Sequence, residues 1–350
     1  MFCISTAAVS FGGGSGLLSE ARACVNSDTR MILIVTNRGD LTADFGVLEM
    51  QRRGIPYTRF NTEDYPQRTT ITARFRSSGL DGYINTTKGK VPFDQIASVW
   101  FRRPVAPVLS PEIEDSTARH FCHTESLAFL EALWRTLDCF WVSKPDSIRA
   151  AESKLLQLSV ASEVGLSIPR TLITSDANEA RLFSEYCSET VYKPLRQGRI
   201  QHPHGASLIF TSVVTSAHTT EFEKVRYAPC LFQEHIPKGM DIRVTVFGTD
   251  LFATEIHSQV DAQSAVDWRR GGSVALPYHP HPLPSEIERM CVRLIERLDL
   301  SFGAIDMILT PQGEYVFLEI NPNGQWAWIE QRTGVPMSRS LVDLLLQGRK

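Results

Sequence analysis

The sequence predicts an α/β protein with α+β character in its second half, and three observations carry that class. Met31–Thr36 (MILIVT) is an unbroken apolar run, as expected of a strand covered on both faces. A helical stretch from about Asp44 to Arg53 and a strand pattern over Ile55–Phe60 follow it, the strand–helix–strand order of a small α/β unit. From Thr171 onward the texture changes to strands separated by polar turns, closed by a helix, two strands and a last helix.

Taken in order, each element has its own signal. Gly54 suits the residue after a helix end. Gly79–Gly89 reads as hairpin turns, and Ser98–Phe101 as a strand ending at Arg102-Arg103-Pro104. Between Ser116 and Leu137, Phe121, Phe129, Leu130, Leu133, Trp134 and Leu137 recur at helical spacing and form one apolar stripe. Trp141–Pro145 closes a first domain, expected over residues 31–145. A helix from about Ser147 to Val164, ended by Gly165, opens a second domain over 146–350. Strands follow at Thr171–Thr174, Thr190–Pro194, Ser207–Thr211, Leu231–Ile236, Ile242–Phe247 and Leu251–Ser258. A helix over Pro284–Leu298, strands over Phe302–Thr310 and Tyr315–Asn321, and a C-terminal helix complete the chain. Residues 1–30 carry a glycine patch (Gly12-Gly13-Gly14-Ser15-Gly16) that interrupts any apolar stretch a secretory signal would need. They read as a loose extension, or as an upstream start codon chosen in error.

Composition narrows the function classes. The 350 residues suffice for two or three adjoining cores. A formal net charge of -3 supplies no basic face, so nucleic acid is not an expected partner. No apolar run approaches the length of a membrane span, so a membrane is not expected either. Seven cysteines without paired spacing read as free thiols in a reducing compartment, which implies a cytoplasmic setting.

The strongest chemical signal is Phe302–Asn321, FGAIDMILTPQGEYVFLEIN, two apolar strands around the hairpin loop Pro311–Glu314. If Thr310 faces Tyr315, counting back puts Asp306 opposite Glu319, with Asn321 on the same face. Two facing carboxylates on apolar strands repel, and a divalent cation removes the conflict. Carboxylate and amide oxygens are the hard donors magnesium takes, alongside phosphate oxygens and water. A second constellation is Tyr192-Lys193-Pro194, followed by a loop rich in Arg, His and Gly over residues 196–205. Lys193 there suits a triphosphate, with Arg196 or Arg199 above it. Taken alone, an exposed strand lysine is the commoner explanation.

Two further segments stay ambiguous in isolation. Leu231–Ile236 is an apolar strand turning polar at Gln233, Glu234 and His235, a pattern that suits the edge of a purine. Asp241 would then accept from ribose hydroxyls and Arg243 would reach phosphate. An ordinary strand edge with solvated charges explains the same residues. Asp267-Trp268-Arg269-Arg270 before Gly271-Gly272 suits a bidentate grip on carboxylate or phosphate, and equally a charged surface loop.

Read in order, these pieces resemble the ATP-grasp superfamily over about residues 31–345. The general pattern is similar to the ribosomal-protein glutamate ligases, in a lysine strand (Lys193), a QE-x-I hinge (Gln233–Ile236), a D-I-R step (Asp241–Arg243), an arginine loop (Arg269-Arg270) and a terminal D…E-x-N hairpin (Asp306, Glu319, Asn321). Several stretches look more like the microviridin-type (graspetide) peptide macrocyclases: MILIVTNRGDLTADFGV at 31–47, VWFRRP at 99–104, the run from Trp141 through Lys154 and Gln157 to GLSIPRTLIT at 165–174, DWRR at 267–270 and LEINPNGQW at 318–326.

The resemblance implies an ATP-grasp fold behind an N-terminal pre-ATP-grasp α/β domain. It also implies ATP held by Lys154 and Lys193 at its phosphates, by Glu234, His235 and Ile236 at adenine, and by Asp241 at ribose. Asp306, Glu319 and Asn321 would hold Mg2+ (Mn2+ being an alternative), and Arg243, Arg269 and Arg270 would meet phosphate or an acidic substrate. The implied activity is carboxylate activation through an acyl phosphate, then ligation to an amine or hydroxyl in a ribosomal precursor peptide, with a homodimer as a family-based expectation. A free-standing ligase adding an amino acid or glutamate to a small molecule or protein tail is the rival within enzymes. A non-catalytic ATP-binding regulatory protein is the rival outside them. The loop after Lys193, LRQGRIQHPHGAS, has fewer glycines than many relatives place over the triphosphate.

Overall fold

The computed structural model describes residues 30–77, 79–196, 199–202, 205–271 and 276–349, so the extension expected at residues 1–30 lies outside it save for Arg30. The first domain is built on a parallel sheet. Strand β1 (Met31–Thr36) has Ile32–Val35 wholly buried, as its apolar run requires. Helix α1 (Leu41–Arg52) begins earlier than its apolar pattern suggests, because the Asp40 carboxylate accepts the Thr42 and Ala43 amides at 3.2 and 3.4 Å. Strand β2 (Tyr57–Asn61) returns beside β1.

Residues 79–89 correct the sequence reading. The hairpin turn falls at Thr87-Lys88, and most of the segment is a strand between two partners: β3 (Thr70–Arg76), β4 (Gly79–Thr86) and β5 (Gly89–Pro92) make a three-stranded antiparallel sheet. Gly82 lies inside β4 because a Cβ there would sit 2.0 Å from the Thr72 carbonyl oxygen. A glycine needed for close approach thus imitated a turn signal.

Strand β6 (Ile96–Phe101), helix α2 (Ser116–Thr136) and strand β7 (Phe140–Val142) complete the first sheet, in the order β2-β1-β6-β7. The expected apolar stripe of α2 holds only in its second half. Leu130, Leu133 and Trp134 are buried, whereas Phe121 is 63% exposed.

The single helix expected over Ser147–Val164 is two, α3 (Pro145–Ala151) and α4 (Lys154–Glu163). The break is built by side chains. Ser153 caps α4 with its hydroxyl on the Leu156 amide (3.5 Å), and the Gln157 amide donates to the Ala151 carbonyl at 2.7 Å.

Next come β8 (Thr171–Thr174), α5 (Ala177–Tyr186), β9 (Thr190–Lys193), the hairpin of β10 (Arg199–His202) and β11 (Gly205–Leu208), β12 (Ser212–Val213), the single turn α6 (Ser216–Thr219) and β13 (Cys230–Glu234). The order β12-β9-β13-β8 makes a four-stranded antiparallel sheet. Helix α5 has no counterpart in the sequence reading; it is short, and Ala180 is the one residue it buries fully, with Phe183 packed beside it.

Strands β14 (Met240–Phe247), β15 (Asp250–Ile256) and β16 (Tyr278–Pro280), helix α7 (Ser285–Arg297), and strands β17 (Phe302–Leu309) and β18 (Tyr315–Asn321) form the last sheet, ordered β16-β15-β14-β17-β18. The C-terminal helix is two, α8 (Ala327–Thr333) and α9 (Met337–Leu346), separated at Gly334, which ends α8 at φ +73.

Period-2 alternation decides what this sheet presents. Ile242, Val244, Val246, Ile305 and Met307 face a core shared with Val160, Ala161, Leu294 and Ile295 from α4 and α7. Asp241, Arg243 and Asp306 therefore point the other way. A second core joins Ile32, Ile34, Ala43 and Trp100 of the first domain to Phe247, Trp326, Leu341 and Leu345. The chain's last helices thus close over its first sheet.

Candidate active site

A cavity of about 320 Å³ lies between the four-stranded and five-stranded sheets, lined by residues from β9, β13, β14, β17 and β18 and by the segment around residue 267. Lys154, Lys193, Gln233, Glu234, His235, Ile236, Asp241, Arg269, Asp306 and Glu319 all line it. These residues come from six separate places in the sequence, and the fold brings them to one volume.

Asp306 pairs with Glu319 across β17 and β18, as counted from the sequence, but by a different route. The hairpin pairs Leu309, not Thr310, with Tyr315, and Thr310 instead donates its amide to the Glu314 carbonyl at 2.9 Å. The one-residue offset is removed by a bulge: Met307 faces Phe317, Asp306 faces Glu319, and Leu318 is the extra residue. The bulge lets neighbouring Leu318 and Glu319 both line the cavity, which a regular strand would forbid.

Three cations hold the two acids. Arg269 Nη2 lies 2.5 Å from Asp306 Oδ2 and 2.9 Å from Glu319 Oε1, so a single group reaches both. Lys154 Nζ, on the first residue of α4, lies 2.5 Å from Glu319 Oε2. Arg243 Nη1 donates to Asp306 Oδ1 at 2.7 Å from behind. Burial opposes the charge of Glu319, yet Lys154, Arg269 and Lys193 outweigh it and hold its carboxyl well below the usual carboxylate range. Arg269 is likewise desolvated, and Asp306 and Glu319 more than compensate, raising its pKa. Lys193 is pulled down to about 8 by burial, with Lys154 and Arg269 adding repulsion and Glu319 opposing both.

The donors fit a hard divalent cation. One point already lies within hydrogen-bond reach of an oxygen on each acid, and the acids supply oxygen ligands only. Around them the lining sets Lys154, Lys193, Arg196, Lys238 and Arg269 against Glu234, Asp241, Asp267, Asp306 and Glu319, and Arg243 stands behind Asp306 as a further cation.

Other residues end up elsewhere than expected. Arg243 is 5% exposed and does not line the cavity; it backs Asp306 and donates to the Gln325 carbonyl at 3.4 Å. Arg270 turns away, donating to Ser212 Oγ at 2.7 Å with its guanidinium 5.5 Å from the Phe210 ring centre. The segment Trp268–Gly271 is a 3-10 turn, in which successive side chains diverge by about a third of a turn, so adjacent arginines cannot share one target. Asn321 is exposed at the strand end and accepts the Asn323 amide at 2.9 Å, outside the cavity lining. The Asp241 carboxylate already accepts both from Lys238, at 3.0 Å on each oxygen, and from Ser258 at 2.5 Å. The His235 ring meets Glu189. Arg196 lines the cavity, while the Arg199 side chain lies outside what is described.

Sequence reasoning missed Lys238, whose PKG setting reads as a plain turn, and Phe210 and Thr211, which carry no chemical signature in sequence.

A lysine-lined cleft between two antiparallel sheets, with a paired acid hairpin at its base, defines an ATP-grasp ligase. The family described as the MvdD pre-ATP grasp domain matches residues 31–149. A RiPP-associated ATP-grasp ligase of Chryseobacterium gregarium, solved with ADP and a leader and core peptide, is 30% identical, with 91% of this chain and 97% of that one covered at a TM-score of 0.85. Macrocyclase MdnB of Microcystis aeruginosa is also 30% identical, over 91% and 99% of the two chains, at 0.75. A probable alpha-L-glutamate ligase of Histophilus somni is 23% identical over 214 residues, 60% of this chain and 68% of that protein. This chain belongs to the RiPP-associated ATP-grasp ligases.

Proposed function

We propose that this chain is an ATP- and magnesium-dependent ligase that activates a carboxyl side chain of a precursor peptide and joins it to an amine or hydroxyl of that peptide. The observation that carries this reading is the Asp306–Glu319 pair, held within reach of one cation in a cavity that also contains Lys154 and Lys193. The likeness to ligases solved with ADP and with leader or precursor peptides supports the nucleotide and the substrate class.

A carboxylate is a poor acylating agent because its oxygen is a poor leaving group. Transfer of the terminal phosphoryl group of ATP makes an acyl phosphate and ADP; attack by the amine or hydroxyl then expels phosphate and releases a proton. Lys154 and Lys193 bind the phosphates, and Arg269 offsets charge on the transferring group. Gln233 to Ile236 bound the nucleotide at the strand end, where the Ile236 amide has no partner among the described residues. Asp306 and Glu319, with Asn321 two residues beyond Glu319, would hold magnesium, which would supply neutralisation of phosphate charge. Manganese accepts the same oxygen donors and is expected to substitute. Arg243 and Arg270 act around this centre: Arg243 orients Asp306, and Arg270 braces the arginine turn against Ser212.

Cys122, Cys139, Cys187, Cys230 and Cys291 are free thiols, which suits the cytoplasmic setting. No helix among the described residues is long and apolar enough to cross a membrane. A homodimer remains the expectation from the resemblance, to be checked by light scattering.

The likeness to glutamate ligases keeps a second substrate in play, a free amino acid added to a small molecule or protein tail. One experiment separates them. Purified protein with ATP and magnesium is given a precursor peptide or free glutamate, ADP is measured, and the peptide is weighed. Loss of one water per crosslink, abolished in Glu319→Gln without loss of fold, is the expected result. ADP release with free amino acids alone would replace the peptide reading, and full activity in Glu319→Gln would refute the site.

A further inference from the structure

A train of aromatic rings leads away from the two acids and ends on a guanidinium with no acidic partner among the described residues. Arg269, which bridges Asp306 and Glu319, has its Cζ 5.3 Å from the centre of the Trp268 ring. Trp268 lies 5.5 Å from Trp328, and Trp328 lies 5.0 Å edge-on to Tyr278. Arg332 covers Tyr278 at 4.7 Å. The shelf is assembled from three distant pieces of chain: the 3-10 turn at residue 268, strand β16 and helix α8.

The shelf is tied to the site rather than merely near it. Trp328 Nε1 donates to the Gln325 carbonyl at 3.2 Å, the same oxygen that Arg243 Nη2 approaches while Nη1 holds Asp306. Trp268 itself lines the cavity. Arg332 is exposed, and no carboxylate among the described residues lies within ion-pair distance of it. The nearby acid Glu330 is already engaged, accepting from the Ser338 amide at 2.8 Å and hydroxyl at 2.6 Å. A guanidinium stacked on an aromatic ring keeps its edge free for bidentate contact with a carboxylate.

We propose that Trp268, Trp328, Tyr278 and Arg332 form the subsite for an acidic peptide segment, in which Arg332 binds a second carboxylate a few residues from the one that reacts. The contacts from Arg269 to Arg332 span at most about 20 Å, within reach of about six extended residues. The half-buried rings offer apolar contact along a bound chain, and the charge at the far end reads acid spacing. This deepens the peptide-ligase reading and rests on it for the reacting end. An acid that is bound but not consumed gives a reason for choosing one carboxyl among several.

The test is a binding measurement that does not need turnover. A fluorescently labelled synthetic hexapeptide with glutamates at both ends is titrated onto the full protein with magnesium and ADP, beside versions in which one glutamate is glutamine. Wild type is expected to prefer the peptide with two acids by about tenfold, the worth of one charge-assisted contact. Arg332→Ala should abolish that preference without changing ADP affinity, and Arg332→Lys should restore part of it. No preference in wild type, or one that survives in Arg332→Ala, overturns the subsite. If the preference follows Arg332 but no peptide elicits ADP release, the subsite stands as a binding site and the ligase reading falls.

Discussion

Lys193 is the residue whose chemistry the fold changes most usefully. Burial and the neighbouring cations bring it down to about 8, so near neutral pH it is protonated only by a modest margin. A triphosphate favours the protonated form, so binding must draw a proton onto whatever fraction of Lys193 is neutral. Nucleotide affinity is therefore expected to hold below pH 7, then fall up to tenfold per pH unit as pH rises through about 8. Calorimetry with ADP across that range, in buffers of different ionisation enthalpy, should also detect proton uptake near pH 8. Lys193→Arg should flatten the profile, because a guanidinium stays charged throughout. A wild-type affinity level to pH 9.5 would remove this role from Lys193. At this scale the sequence was a good guide to residue type and a poorer one to aim. Lysines, acids and the QE-x-I hinge converge as read, yet Arg243 and Arg270 do not line the cavity. Arg243 is engaged by Asp306, which strand alternation alone does not reveal because it does not say whether an acid stands directly opposite. Arg270 reaches Ser212 instead of the acids because a 3-10 turn separates neighbours that look like a pair.

Among the elements, the hairpin of β17 and β18 shows how two local departures can preserve a functional register. The loop is shifted by one residue from the simplest count, and the bulge at Leu318 shifts it back, so Asp306 meets Glu319 either way. A count along regular strands cannot see either change. The broken helix ahead of it was equally hidden, because Glu152 and Ser153 interrupt no apolar period. What the break provides is clear from Gln157, which is 4% exposed. Its amide donates to the Ala151 and Ile320 carbonyls at 2.7 and 2.9 Å, and its oxygen accepts the Ile320 amide at 3.1 Å. One side chain thus closes the helix break and grips β18 beside Glu319. Gln157→Leu keeps the volume but leaves three buried backbone groups without their side-chain partner, at a cost of about 3 kcal/mol or more. It should lower the denaturation midpoint and reduce turnover together, because the residue it grips is adjacent to Glu319. Unchanged turnover in Gln157→Leu would show that β18 holds Glu319 without this clamp.

At the scale of the molecule, the question is how the first domain contributes to a site whose chemistry lies in the second. Much of the answer was beyond sequence reasoning, because the partners are far apart in the chain. The closure of α9 over α1 buries Leu341 and Leu345 against Ala43 and Met50, and nothing local in any of these segments announces it. Arg102 is the polar counterpart of that closure. It ends β6 with no exposed surface, and its Nη1 donates to the Asn323 carbonyl in the loop that follows the acid hairpin. Burial lowers it to about 10; Asp40, 3.6 Å away, opposes that shift, and Arg103 and Arg243 add repulsion. Its Nε and Nη2 have no hydrogen-bond partner among the described residues. Such a group is weakly stabilising at best, since desolvation offsets most of the attraction to Asp40. The Asp40 carboxylate also accepts from Thr36 Oγ1 and from the amides of Thr42 and Ala43. The worth of Arg102 must then lie in holding residues 321–325, the segment whose Gln325 carbonyl also receives Arg243 and Trp328. Removing both buried charges together, with Arg102→Met and Asp40→Asn in one variant, is accordingly expected to leave stability unchanged or slightly raised, whereas Arg102→Met alone would strand the Asp40 charge. The double variant should nonetheless reduce turnover at least tenfold, about 1.4 kcal/mol in the barrier, by loosening the support behind Asp306. Thermal melts and single-turnover ADP formation on the same preparation separate the two effects. Loss of stability in proportion to activity would make Arg102 a structural pin, whereas lost turnover in a protein that melts normally would make the first domain a positioning part of the active site.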